Sequence, residues 1–309
     1  MALKTLVALL LVGIILFGCI QLGGTTQPPS NSPAGTGQPA GNASTGTSGT
    51  QGTGVTSNAT SGGTGTTQTT TQNQTGATTQ TGQQFTLQSE EIDYNAGGWR
   101  IHGTLYPSKI KPASKVIMLL PELGKTRDSY PLSFVSKLHE NIPDAMVLAI
   151  DMRGQGESTN LGTWQSFDTA TFKDMKTDVI AAQTYFGTNY PNVKQYYVVG
   201  ASIGSSAAML ASAQNTKIVK IAMLSPGMSY QGMDIEDAVK GYLLKLFIAV
   251  STGDASSASA ATTINSLCPS LHKTMKVYDG SAHGTDLFAA TENDPEPLSD
   301  ALVEFFKQP

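Results

Sequence analysis

Apolar positions fall into two regimes along this chain, with a long polar stretch between them. Residues 5–17 form an almost unbroken apolar run behind Lys4. Residues 24–84 are almost entirely Gly, Ser, Thr, Gln, Asn, Ala and Pro, and show no apolar period. From 85 onward, short apolar blocks return at regular intervals. Compact blocks rich in Val, Ile, Leu, Met and Tyr predict strands over 85–94, 99–106, 115–120, 146–151, 195–200, 218–224, 244–251 and 274–279. Helices are predicted over 130–140, 172–186, 205–213, 235–243, 257–267 and 298–307. Asn95-Ala96-Gly97-Gly98 is a hairpin signal between the first two strands. Strands apolar on both faces, alternating with helices, predict an α/β architecture: a mostly parallel eight-stranded sheet with helices on both faces. Right-handed crossovers make it doubly wound.

The same pattern divides the chain into 1–23, 24–84 and 85–309. Lys4 and the apolar run read as an export segment. It ends in Leu16-Phe17-Gly18-Cys19, which resembles a lipoprotein lipobox, in which the cysteine becomes the lipidated N-terminus. Continued to Leu22, the run also reaches a marginal spanning length, so an uncleaved anchor is the other reading. Both leave the rest of the chain exported and held at the cell surface by its N-terminus. The polar stretch has no core to offset the entropy of ordering it, and reads as a flexible linker with a reach of roughly 40–45 Å. Its sequons at Asn42, Asn58 and Asn73 fit a sugar-decorated stalk or a bare spacer equally well.

Charge sharpens the division. The chain carries a formal net charge of −4, yet Lys4 is the one charged residue before Glu90. The C-terminal part is therefore mildly acidic with scattered lysines, which argues against nucleic acid as a partner. Its length suits one sizeable domain. Two cysteines, Cys19 and Cys268, supply neither a disulfide framework nor a metal site. Cys268 reads as a small packed residue.

Three segments carry the chemistry. Gly200-Ala201-Ser202-Ile203-Gly204 follows a strand and precedes an Ala-rich helix, the context that a G-x-S-x-G nucleophile elbow requires. Asp254 and His283 follow the next-to-last and last strands. All three would project from the carboxyl ends of parallel strands, where catalytic groups gather in open α/β sheets. A serine hydroxyl is a poor nucleophile until a positioned imidazole takes its proton, and an aspartate can orient that imidazole. Asp254 has a second reading, as the N-cap of the helix that follows it. Asp151-Met152-Arg153-Gly154-Gln155-Gly156-Glu157-Ser158 reads as a structural loop beside the site, tied together by Asp151 and Arg153.

With these motifs in this order, residues 85–309 resemble an α/β-hydrolase-fold serine hydrolase, nearest to the small esterase, lipase and dienelactone-hydrolase-like branches. The resemblance implies hydrolysis of small-molecule or lipid esters through an acyl-serine, with catalytic Ser202, Asp254 and His283 and no cofactor or metal. By position in that family, the backbone N–H groups of Leu123 and Ile203 form the oxyanion hole. Where such enzymes carry His-Gly, this chain has Pro121-Glu122-Leu123-Gly124. Glu122 either faces solvent or pairs with Lys125 or Arg127, or else points inward and opposes catalysis. A peptidase or thioesterase of the same fold is the alternative within this class, because the triad does not choose the leaving group, and a binding module that keeps the fold without activity is the alternative of another class. The segment from Ser225 to Gly241 is short, so a minimal cap is expected, with Met228, Tyr230, Met233 and Trp164 as candidate lining residues.

Overall fold

The computed structural model describes residues 87–214 and 217–309. The export segment with Cys19 and the linker lie outside these residues. Eight strands form one sheet: β1 (Glu90–Ala96), β2 (Trp99–Tyr106), β3 (Lys115–Leu120), β4 (Ala145–Ile150), β5 (Gln195–Ala201), β6 (Ile218–Leu224), β9 (Lys245–Ser251) and β10 (Lys273–Tyr278). Their spatial order is β1-β2-β4-β3-β5-β6-β9-β10. β1 pairs antiparallel with β2, and β2 antiparallel with β4; every other pair is parallel. Two reversals in succession mean that β1 runs in the same direction as the parallel strands. The described chain therefore starts on the side of their amino ends.

The middle of the sheet is covered on both faces because β3, β4, β5, β6 and β9 are apolar at nearly every position. In β3, Val116, Met118 and Leu120 enter one core, while Ile117 and Leu119 enter the other. This is the period-two alternation of a pleated strand with no solvent face. One core takes in α3 (Lys176–Asn189), α4 (Ile203–Ser212) and α6 (Ala255–Leu267). The other takes in α1 (Leu132–Asn141) and α8 (Leu298–Lys307). The mostly parallel eight-stranded sheet with helices on both faces is the predicted architecture.

Some boundaries differ from the sequence reading. The first strand begins at Glu90 rather than at 85. The single helix expected over 172–186 is two, α2 (Thr169–Lys173) and α3. The break falls at Asp174, whose carboxylate turns to Arg153 and accepts from Thr177 Oγ1. A small hairpin, β7 (Ser229–Tyr230) and β8 (Met233–Asp234), precedes α5 (Glu236–Gly241). Its turn uses Gln231 and Gly232, both at positive φ. One further short helix, α7 (Leu287–Ala290), follows the loop after β10.

Asp144 braces the amino ends of β3 and β4. Its carboxylate accepts from Ser114 Oγ at 2.5 Å and from Lys115 Nζ, and its carbonyl accepts from Ser114 N–H at 3.0 Å. Burial pushes the Asp144 carboxyl up, but Lys115 and Ser114 outweigh burial and hold it below its ordinary value of 3.8. A depressed folded value gives stability that is present above the unfolded value and is lost as pH falls through the folded one. Asp144→Asn is therefore expected to cost about 1 kcal/mol at pH 6, as for a partly exposed pair, and less near pH 3.5. Urea midpoints at the two pH values measure the difference.

Candidate active site

Ser202 sits in the turn between β5 and α4 with φ 49° and ψ −112°, a strained backbone for a residue with a side chain. The neighbouring glycines make that turn possible. A Cβ on Gly200 would come within 2.5 Å of the Gly204 carbonyl and of Ser205 N. A Cβ on Gly204 would come within 2.6 Å of Leu120 O, at the end of β3. The elbow is thus seated directly on the strand that leads to Leu123. Ser205 Oγ donates to Gly200 O at 2.5 Å and closes the turn from within.

Asp254 occupies the N-cap position of α6 yet makes no cap bond with its side chain. Its Oδ2 instead accepts from His283 Nδ1 at 2.7 Å. An ionised carboxylate can only accept, so Nδ1 carries the proton and Nε2 is left to accept one. Burial pushes the Asp254 carboxyl up, but hydrogen bonds from His283, Ser257 and Ser225 outweigh it and hold the group below its ordinary value. The acid is thus kept ionised beside its imidazole. Ser202 and His283 line the same cleft. Among the described residues no hydrogen bond joins Ser202 Oγ to the ring; such a link is often loose before substrate binds.

Ser225 is a site residue that sequence reasoning missed. It follows β6 with φ 47° and is almost wholly buried. Its Oγ accepts from Gly284 N–H at 3.0 Å, so it holds the segment that carries His283, and its hydroxyl helps to hold the Asp254 carboxyl below its ordinary value. Its position directly after an apolar strand, on the rim shared by Ser202 and Asp254, was the available signal.

The loop after β3 turns through Glu122–Lys125, closed by Lys125 N–H to Glu122 O at 3.2 Å, with Gly124 at φ +84°. Gln155 Oε1 accepts from Gly124 N–H, so the 151–158 loop braces this turn. Leu123 and Ile203 both line the cleft beside Ser202, and neither N–H has an acceptor among the described residues. Two unpaired backbone donors flanking a nucleophile are what an oxyanion hole needs. Glu122 is buried, not turned to solvent. It pairs with Lys125 Nζ at 2.9 Å, as one of the sequence readings has it.

The cleft encloses about 760 Å³. Met228 and Tyr230 line it as expected. Met233 does not: it is fully buried in the core under the β7–β8 hairpin. Trp164 is not a lining residue either, and lies against Gly124 behind the turn after β3. Hydroxyls dominate the far wall, with Ser256, Ser257, Ser259 and Thr263 from α6.

A family model described as "Serine aminopeptidase, S33" matches residues 112–253. The match takes in the serine elbow and stops one residue short of Asp254. An esterase of Pyrococcus furiosus superposes with a TM-score of 0.58 at 16% identity, over 71% of this chain and 90% of that one. The chain has the α/β-hydrolase fold. A dienelactone hydrolase of Anabaena variabilis shares this hydrolase fold at a TM-score of 0.54 and 14% identity, over 71% and 95% of the two chains. Est1E of Butyrivibrio proteoclasticus, in a structure with ferulic acid bound, gives 0.55 and 17%, over 70% and 97%. No curated protein matches the sequence. Identities this low speak for the α/β-hydrolase fold and leave the chemistry to the site itself.

Proposed function

We propose that this chain is a serine hydrolase that cleaves carboxylic esters through an acyl-serine intermediate, and that its N-terminal segment tethers it at the cell surface. The observation that carries the catalytic reading is the 2.7 Å contact of His283 Nδ1 with Asp254, in the cleft of the elbow serine. His283 Nε2 takes the Ser202 proton as Oγ bonds to the acyl carbon. Leu123 and Ile203 N–H groups stabilise the resulting oxyanion. The carbon–alkoxide bond then breaks, and the departing alcohol takes the proton from His283. Water repeats the sequence in the second half, with His283 as base and then acid, to release the carboxylic acid and restore Ser202. Support for the tether is the sequence of residues 1–22, with Cys19 as the lipidated or membrane-embedded end.

The description of the matching family favours a second reading, an aminopeptidase. Such an enzyme needs an anion to hold the substrate's α-ammonium. Glu122 is the one carboxylate among the cleft-lining residues, and it is already bonded to Lys125 and Thr285. Ester cleavage is the better fit.

A fluorophosphonate probe is expected to label the wild-type chain at neutral pH and to leave Ser202→Ala unlabelled. The wild type is expected to turn over p-nitrophenyl acetate and to leave amino-acid p-nitroanilides intact. Absence of labelling would overturn the catalytic reading in favour of the binding module; cleavage of the anilides alone would replace esterase with peptidase.

A further inference from the structure

Glu122 stands where a negative charge should harm a reaction that builds an oxyanion, and yet it is buried at the mouth of the site. Its bonds show what it holds. Thr285 Oγ1 donates to Glu122 Oε1 at 2.9 Å, and Thr285 N–H points to both carboxylate oxygens at 3.4 and 3.3 Å. Thr285 is two residues beyond His283. Between them Gly284, at φ +59°, passes so close that a Cβ there would lie 2.8 Å from Glu122 Cδ. The backbone of the His283 segment is thus laid onto the carboxylate itself.

Lys125 completes the contact. Its Nζ bonds Glu122 Oε1 at 2.9 Å and Asp286 Oδ1 at 2.6 Å, and so joins the β3 turn to the far end of the same segment. Burial pulls the Lys125 ammonium down, but Asp286 and Glu122 outweigh it and hold the group above its ordinary value. Lys125 is therefore charged at neutral pH. Leu123, the next residue after Glu122, presents one of the two oxyanion N–H groups.

On the serine-hydrolase reading above, we infer that Glu122 and Lys125 are positioning residues that lock the His283 segment to the oxyanion turn, with Lys125 cancelling the charge that Glu122 brings to the site. One pair thereby sets the distance between the base and the oxyanion donors. Charge cancellation explains how a carboxylate is tolerated there. The charged groups facing this segment are Asp254 from the start of α6, Glu122 and Lys125 from the β3 turn, and Asp286 from the segment itself. Tyr230, from the β7–β8 hairpin, is the other titratable group lining the cleft.

The test is a double-variant cycle on the full chain with p-nitrophenyl acetate. Glu122→Ala is expected to lower kcat by about 100-fold with KM nearly unchanged, the scale of a misplaced catalytic group. Lys125→Met leaves the carboxylate without its counter-charge against the segment that carries the imidazole. Its acidic limb of kcat/KM is expected to move to higher pH in the sense of stabilised imidazolium, with the rate at pH 6 relative to pH 8 falling about tenfold further than in the wild type. Lys125→Arg is expected to restore the wild-type limb, and adding Glu122→Gln to Lys125→Met is expected to restore it as well. Fluorophosphonate labelling of the wild type separates the two levels of inference. A wild type that takes up no probe overturns the hydrolase reading and the pair's role with it. A labelled wild type whose Lys125→Met profile keeps its limb overturns the charge cancellation alone. Unchanged kcat in Glu122→Ala overturns the positioning role. If Glu122→Ala does not fold, Thr285→Val carries the kcat arm, since it removes the hydroxyl that donates to Glu122 Oε1 and leaves the carboxylate and Lys125 in place.

Discussion

Alanine at His283 is expected to lower kcat/KM on a short-chain ester by about 10⁴- to 10⁶-fold, the range seen when a triad member is removed. The fold is expected to survive. The His283 side chain is 44% exposed, and its one hydrogen bond among the described residues is to Asp254. Asp254→Asn is expected to approach the same loss, by about 10⁴-fold, through a different route. An amide can donate to Nδ1 and so favours the tautomer with its proton on Nε2, where it blocks acceptance from Ser202. The two variants separate loss of the base from loss of its orientation. Steady-state kinetics and a thermal melt on each suffice. Near-wild-type turnover in His283→Ala would remove this ring from the reaction.

The largest effect on stability is expected at Asp178→Ala, about 3–5 kcal/mol, the cost of stranding one member of a buried ion pair. Asp178 is fully buried in the first turn of α3. Its Oδ1 accepts from Arg153 Nε at 2.8 Å and lies 2.7 Å from Nη2, while Oδ2 accepts from Arg153 N–H at 2.9 Å. Arg153 is itself only 2% exposed and lies 5.8 Å from the Trp99 ring centre. Without Asp178 the guanidinium retains Asp174, whose side chain is half-exposed, and the long Ala96 carbonyl contact. Asp174→Ala is expected to cost less than about 1 kcal/mol by the same measurement, because its charge is solvated. Urea unfolding of the two variants ranks them. The Arg153 loop also supplies Gln155, which braces the turn after β3, so on the proposed mechanism partial loosening from Asp178→Ala is expected to lower kcat before the domain unfolds.

What the sequence disclosed and what it hid follow from range. The elbow was legible because its requirements are local: Gly200 and Gly204 are two residues either side of Ser202, between an apolar strand and a small-residue helix. The central strands were legible because burial on both faces leaves continuous apolar blocks, and the first two because a Gly-Gly hairpin turn separates them. Asp254 was ambiguous because an aspartate between a strand and a helix satisfies an N-cap as well as a triad; only its bond to His283, 29 residues away, separates the two. Glu122 and Ser225 meet the His283 segment across 163 and 59 residues, with no periodicity to announce either contact. The helix break at Asp174 depends on Arg153, 21 residues earlier. Apolarity alone could not sort Met228, at the cleft, from Met233, in the core, because the hairpin between them reverses the chain.

The direction of β1 has a practical consequence. Because the described chain begins on the floor of the sheet, opposite the rim that carries Ser202, a bead, surface or affinity handle joined ahead of Leu87 grips the molecule from beneath. Immobilisation through that end keeps the mouth of the cleft turned to the bulk liquid, where dissolved reagents can enter and products can leave.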